Sequence, residues 1–290
     1  MAKPVKKQQN RIDFQIYGCY YVKSVRSETH VFPPDGIDCF RGFGRFFPAK
    51  QCVRLAALFL TESRWLFMNA VTISDLYDLS HTLASDYLAQ FTYPWEALKG
   101  LKEFILSLGP ALGEDYVEQS PTVWVHKTAV VAPTAFLGAP CIIGPETEVR
   151  HCAFIRGSAL VGANCVVGNS VELKNVILFD NVQTPHYNYV GDSILGYRSH
   201  MGAGSITSNV KSDKTLVVVK TEPPIATGLK KFGAMLGDFV EVGCNSVLNP
   251  GTVIGSHSNI YPLSSVRGVI PAGSIVKSGS FAVVEKSDKE

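Results

Sequence analysis

No stretch of this sequence stays apolar long enough to cross a bilayer. The longest hydrophobic patch, residues 55–60, falls far short of the ~20 residues that a spanning helix needs. No CxxC pair occurs, and the seven cysteines stand at irregular spacings. That pattern fits the reduced thiols of a cytoplasmic protein and argues against a disulfide scaffold or a zinc site. The basic start leads straight into Gln8, Gln9 and Asn10, so no secretory signal is expected. Charge is scarce as well: 18% of the 290 residues are charged and 46% are apolar, so most of the chain is expected to fold around a core.

The net charge of +2 conceals a split. Residues 1–67 carry 11 basic and 5 acidic residues, and the remainder carries 16 and 20. The basic residues of this head are scattered among twelve aromatics, with only Lys3, Lys6 and Lys7 close together and no helical basic stripe. Nucleic acid is therefore not the expected partner. Apart from a short candidate helix at 51–65, the head holds neither a period of two nor one of 3.6. Residues 1–67 are expected to be a poorly ordered or non-native extension, with the native start at Met68.

A short helical region is expected over 68–119. Thr72 or Ser74 caps a helix with apolar positions Leu76, Leu79, Leu83 and Leu88, and a second helix runs from about Trp95 to Leu108, stopped by Gly109 and Pro110. From Val125 the period becomes six. Val125, Val131, Leu137, Ile143, Val149, Ile155, Val161, Val167, Leu173 and Phe179 keep one phase, which resumes at Leu236, Val242, Leu248, Ile254, Ile260 and Val266. Glycine follows the aliphatic residue at 138, 144, 162, 168, 237, 243 and 255. Hexapeptide repetition of this kind predicts a mainly β fold, a parallel β-helix over 120–278 whose aliphatic residues stack in columns, with a tail at 279–290. The phase breaks at 182–188 and again at 208–231, and both breaks are expected to be loops that wall a binding site.

The strings PHYNYVGDSILG and HMGAGSITSN, within residues 156–209, resemble the acetyltransferase domain of the bacterial glucosamine-1-phosphate acetyltransferase/N-acetylglucosamine-1-phosphate uridyltransferase family. The stretch TGLKKFGAMLGDFVEVG resembles the β-helix of related sugar-phosphate nucleotidyltransferases. The glycine-rich GxGTR loop of their nucleotide-transfer domain does not occur here. The resemblance implies a left-handed, single-stranded β-helix, a homotrimer with shared sites, acetyl-CoA as acyl donor and an amino-sugar phosphate or UDP-sugar as partner. The residues themselves lead to the expectation of no metal and no membrane partner, since the histidines lie at unrelated phases and no apolar run is long enough to span a bilayer. The resemblance further implies phosphate contacts for Arg156 and Lys174, a sugar-pocket position for Glu172, sugar contacts for Tyr189 and Asn209, and the general base for His186. His200 stands where asparagine is usual at the acceptor. Cys244 replaces a usual serine near the acyl donor, and Tyr261 replaces a small residue where an oxyanion-binding backbone N–H is expected.

The chemistry so implied is N-acyl transfer. The acceptor amine must be neutral to attack a thioester, and imidazole, with an ordinary pKa of about 6.5, suits the removal of its proton. The resemblance also leaves open a noncatalytic sugar-nucleotide binder, or a nucleotidyltransferase relative that lacks the uridyltransferase domain.

Overall fold

A computed structural model describes residues 70–277. The expectations for residues 1–67, for the helix at 51–65, for a start at Met68 and for the tail at 279–290 lie outside the described residues. From residue 123 the chain winds as a left-handed parallel β-helix with three faces per coil. Successive coils pair backbone to backbone, so each face is a ladder of short parallel strands, as at Cys141–Ile143 beside Ala159–Val161.

Three inward columns form the core. The first runs Val125, Ile143, Val161, Leu178, Leu195, Leu236, Ile254 and Ile270. The third runs Leu137, Ile155, Leu173, Val190, Thr207, Leu248 and Val266. Between them, Val149, Val167, Thr184, Met201, Val242 and Ile260 fill the second face from within. Each fully buried aliphatic residue contributes about 1.5–3 kcal/mol relative to exposure.

The register departs from the expected hexad at one place. Leu178, not Phe179, pairs with Val161, and Phe179 instead lies buried beside the Tyr77 ring at 5.1 Å. The cause is a corner one residue shorter. Between the third and first faces the chain uses 156–158 in one coil but only 174–175 and 191–192 in the next two. Strands Glu172–Leu178 and Tyr189–Leu195 consequently run unbroken around that corner. Segment 182–188 is therefore no protruding loop, because Gln183 and Thr184 pair with Val166 and Val167 inside the coil. The second break is an excursion from the same corner, residues 208–233. It carries an antiparallel pair, Val218–Val219 with Ile225–Ala226, and packs back through buried Val217, Val219 and Phe232. The other two corners keep four residues in coil after coil: 144–147, 162–165, 179–182, 196–199 and 237–240 at one, and 150–153, 168–171, 185–188, 202–205 and 243–246 at the other.

The first face is apolar on its outer side too. Ile142, Leu160, Ile177, Ile194, Met235 and Val253 point outward yet are fully buried, because the helical region covers them. A sheet buried on both sides reads as continuous apolar triplets, which these strands show. Helix Leu101–Leu108 lies on Ala159–Val161 and Glu172–Leu178, and the 3-10 turn Pro94–Lys99 lies on Tyr189–Leu195. The expected pair of helices is broken into shorter pieces. Thr72 caps Ile73–Leu76 in a capping box with Asp75, but Asp78 then caps a separate 3-10 turn at Leu79–His81, followed by helix Ser85–Leu88. Asp78 also donates its backbone N–H to Asp238 at 2.7 Å, so the chain is tied to the β-helix where a longer helix would have lifted away. Among the described residues, no helix is long and apolar enough to cross a membrane.

Candidate functional site

Two corners bound the third face, and the residues singled out by sequence divide between them. At the corner between the third and first faces stands Asp192, whose side chain is 4% exposed. One carboxylate oxygen accepts from Lys174 Nζ at 2.8 Å and from Asn175 Nδ2 at 2.9 Å; the other accepts from Asn209 Nδ2 at 2.6 Å. A carboxylate is stable so deep only when its lone pairs are met by donors of this kind. Asn175 and Asp192 both adopt positive φ, at 55° and 49°, which short polar side chains tolerate better than most. The same amide of Asn209 donates to the Tyr189 hydroxyl at 3.1 Å. Burial, then the neighbouring Asp192, pushes the Tyr189 phenol up, so it stays protonated and its own hydrogen is available to a ligand. One coil earlier, Arg156 Nη1 donates to Glu172 Oε1 at 2.7 Å.

Arg156, Glu172, Lys174, Tyr189 and Asn209 are thus brought together around Asp192. That aspartate was not singled out in the sequence, although it closes the YxGD part of the resembling string. Its partners come from neighbouring coils 17 or 18 residues away, a relation that only the pairing of coils reveals.

His186 stands at the other corner of the third face, three residues before Tyr189. Its side chain is exposed and makes no hydrogen bond among the described residues. Its backbone is firmly held: His186 N–H donates to Asn188 Oδ1 at 3.2 Å, and Gly204 N–H donates to the His186 carbonyl at 3.0 Å. Buried Asn188 in turn donates to the carbonyls of Gly202 and Ser205 at 2.8 and 3.1 Å, fixing the turn that presents the imidazole. Gly168, one coil earlier, faces the Pro185 carbonyl so closely that no side chain fits between the coils.

The coils below His186 present Gly202, Ala203 and Gly204, and then Cys244 and Tyr261, at the same corner. The Tyr261 N–H, expected to face an oxyanion, donates to the Val276 carbonyl at 2.9 Å. The Cys244 N–H makes no hydrogen bond among the described residues. His200 lies elsewhere. It is on the second face, 2.8 Å from Glu241 through Nδ1, in a depression of about 480 Å³ that also includes Arg198 and Phe239.

The thiols differ sharply. Cys152 and Cys244 are exposed, whereas Cys141 and Cys165 are buried, and burial pushes both of the latter up to about 12. Because the thiolate is the reactive form, iodoacetamide at pH 8 is expected to label Cys152 and Cys244 in the native protein. Cys141 and Cys165 are expected to be labelled only after unfolding. Peptide mass spectrometry checks this, and native labelling of Cys141 contradicts the packing of the first face.

Comparison with known proteins finds similarity over part of this chain. A family model described as the GMPPB C-terminal domain matches residues 140–260. The bifunctional protein GlmU of Methanococcus maripaludis is 33% identical over 177 residues, covering 60% of this chain and 43% of that protein. The bifunctional sugar-1-phosphate nucleotidylyltransferase/acetyltransferase of Sulfurisphaera tokodaii is 32% identical over 106 residues, 36% of this chain and 26% of its own. This chain thus spans less than half the length of these relatives. Among solved structures, the UDP-N-acetylglucosamine acyltransferase from Campylobacter jejuni aligns with 14% identity and a TM-score of 0.28, over 52% of this chain and 70% of that one. The coiled part of this chain is thus similar to the acetyltransferase domain of the GlmU proteins.

Proposed function

We propose that this protein is a cytoplasmic N-acyltransferase that moves an acetyl group from acetyl-CoA to the amine of an amino-sugar 1-phosphate. The observation that carries the reading is the gathering of Arg156, Glu172, Lys174, Tyr189 and Asn209 around buried Asp192, on the face whose other corner presents His186. Arg156 and Lys174 offer charge-assisted hydrogen bonds to the phosphate. The Tyr189 hydroxyl and the Asn209 amide address sugar hydroxyls or the amide formed. The amine nitrogen attacks the thioester carbonyl carbon, a C–N bond forms and the C–S bond breaks. The amine proton passes to the His186 imidazole and from there to the departing CoA sulfur.

The corner beside His186 suits a thioester. Residues 202–204 carry no side chain larger than a methyl group, and the unpaired Cys244 N–H is available to developing negative charge on the carbonyl oxygen. A homotrimer belongs to the same reading, since His186 and the phosphate-binding corner lie at opposite edges of one face and a neighbouring copy supplies the missing wall. Sedimentation as a stable monomer that remains fully active removes that part.

The test is CoA release from acetyl-CoA with glucosamine-1-phosphate and galactosamine-1-phosphate as parallel acceptors. Acceptor-dependent release is expected. Folded protein that binds either sugar phosphate without releasing CoA is a sugar-phosphate binder instead.

A further inference from the structure

The two cations assigned to the acceptor phosphate are each already matched by a carboxylate. Lys174 Nζ lies 2.8 Å from Asp192, and Arg156 Nη1 lies 2.7 Å from Glu172, so the four side chains together are formally neutral. A phosphate monoester carries about −1.5 to −2 at pH 7. Arg156 and Lys174 keep further N–H groups to donate, but a ligand of that charge meets a cluster with no net positive charge. The attraction that holds it has to come from cations outside the cluster.

The excursion that leaves this corner carries them. Residues 208–233 hold five lysines against two carboxylates, a net +3. Lys211 is occupied by Asp213 at 3.3 Å. Lys230 and Lys231, inside the string TGLKKFGAMLGD, are exposed, and neither amine makes an ion pair or hydrogen bond among the described residues. Both ends of this pair are held. On one side Leu229 packs on the core, and its carbonyl accepts from Val217 N–H at 2.8 Å. On the other, Phe232 is buried with its ring 5.6 Å from that of Trp95. Phe232 N–H donates to the Asn209 carbonyl at 2.9 Å, and Gly233 N–H donates to the Asp192 carbonyl at 2.8 Å. A side chain at 233 would strike the Gly191 carbonyl, so the returning chain lies directly against the backbone of the site. The two lysines thus form an exposed step immediately before residues bonded to Asn209 and Asp192.

We propose that Lys230 and Lys231 are acceptor-binding residues: they supply the net positive charge for the sugar phosphate, while Arg156 and Lys174 supply directed hydrogen bonds. The inference rests on the acceptor site proposed above and adds the source of its charge. A lysine is a point charge on a flexible stem, which suits attraction without a fixed geometry. The excursion therefore reads the phosphate and is indifferent to the sugar.

Steady-state CoA release by the full chain tests it. The acceptors are whichever of glucosamine-1-phosphate and galactosamine-1-phosphate is turned over, and the same sugar without its phosphate. In a Lys230→Met/Lys231→Met double variant, KM for the sugar phosphate is expected to rise about 10-fold, the lower end of what an exposed charge-assisted contact contributes. Its kcat and the kcat/KM of the unphosphorylated sugar are expected to stay unchanged, and a Lys230→Arg/Lys231→Arg variant is expected to keep the wild-type KM. Added salt should raise the wild-type KM more than that of the methionine variant. The lysines are exposed, so an unchanged thermal melt verifies that the fold survives. An unaltered KM in the double variant, with a raised KM in Arg156→Met, overturns the inference and leaves the acceptor site standing. Equal losses with the phosphorylated and unphosphorylated sugars also overturn it, because the pair then only shapes the excursion. Absence of acceptor-dependent release by folded wild-type protein, or an unaltered KM in both variants, removes the phosphate site together with the inference.

Discussion

Replacing His186 by alanine is expected to lower turnover by roughly 10²- to 10⁴-fold, the usual contribution of a positioned general base, while leaving the fold intact. The side chain is exposed and makes no hydrogen bond among the described residues, so its loss removes no packing. The turn is held by Asn188 and by the N–H of Gly204, and neither depends on the imidazole. The effect should fall on kcat, with acceptor KM little changed, because the residues proposed to hold phosphate and sugar, Arg156, Lys174, Tyr189 and Asn209, stand at the opposite corner. Steady-state CoA release with varied acceptor separates the two. Undiminished turnover in a folded His186→Ala protein would falsify the assignment of the base.

The Asp192→Ala variant is expected to fail differently. It strands Lys174, Asn175 and Asn209 without their shared acceptor, and breaking a buried ion pair from one side costs about 3–5 kcal/mol. Lys174 retains 27% exposure, so water recovers part of that cost and the lower end of the range is the better expectation. Asp192→Asn should not rescue the site fully, because its amide would direct N–H groups at a partner that is itself a donor. Chemical unfolding should show the stability loss, and acceptor KM should rise as Tyr189 and Asn209 lose their alignment. A double-mutant cycle with Lys174→Met isolates the pair, and a coupling energy near zero would mean that Asp192 serves the turn alone.

Much of the fold was legible because burial in a β-helix repeats with a fixed interval. The columns through Leu173, and again from Leu236, are occupied by residues whose type and spacing both announce them. Legibility failed where either cue was missing. Thr184 and Thr207 occupy the columns but are not aliphatic; their hydroxyls are satisfied inside the coil, Thr184 Oγ1 donating to the Val166 carbonyl and Thr207 Oγ1 accepting from Gly191 N–H. The shortened corner at 174–175 let Phe179 imitate a column residue. The first of the two expected helices is broken into pieces because its path is set by contacts with distant coils, such as Asp78 with Asp238 and Tyr77 with the Ile194 carbonyl. Periodicity carries no trace of such contacts. At the site, each polar residue type was readable from the resembling strings, whereas the buried carboxylate that unites them became visible only through stacking.

All changes in coil length between 123 and 266 fall at one corner, the one that holds Arg156, Lys174, Asp192 and Asn209. The corner acts as a splice point. Residues can be dropped there, as at 174–175, or a whole segment inserted, as at 208–233, and the strand still re-enters the same columns. Chemistry can therefore be rewritten at this edge of the coil without renegotiating the core. Ligand preference in such a scaffold is free to diverge much faster than its architecture.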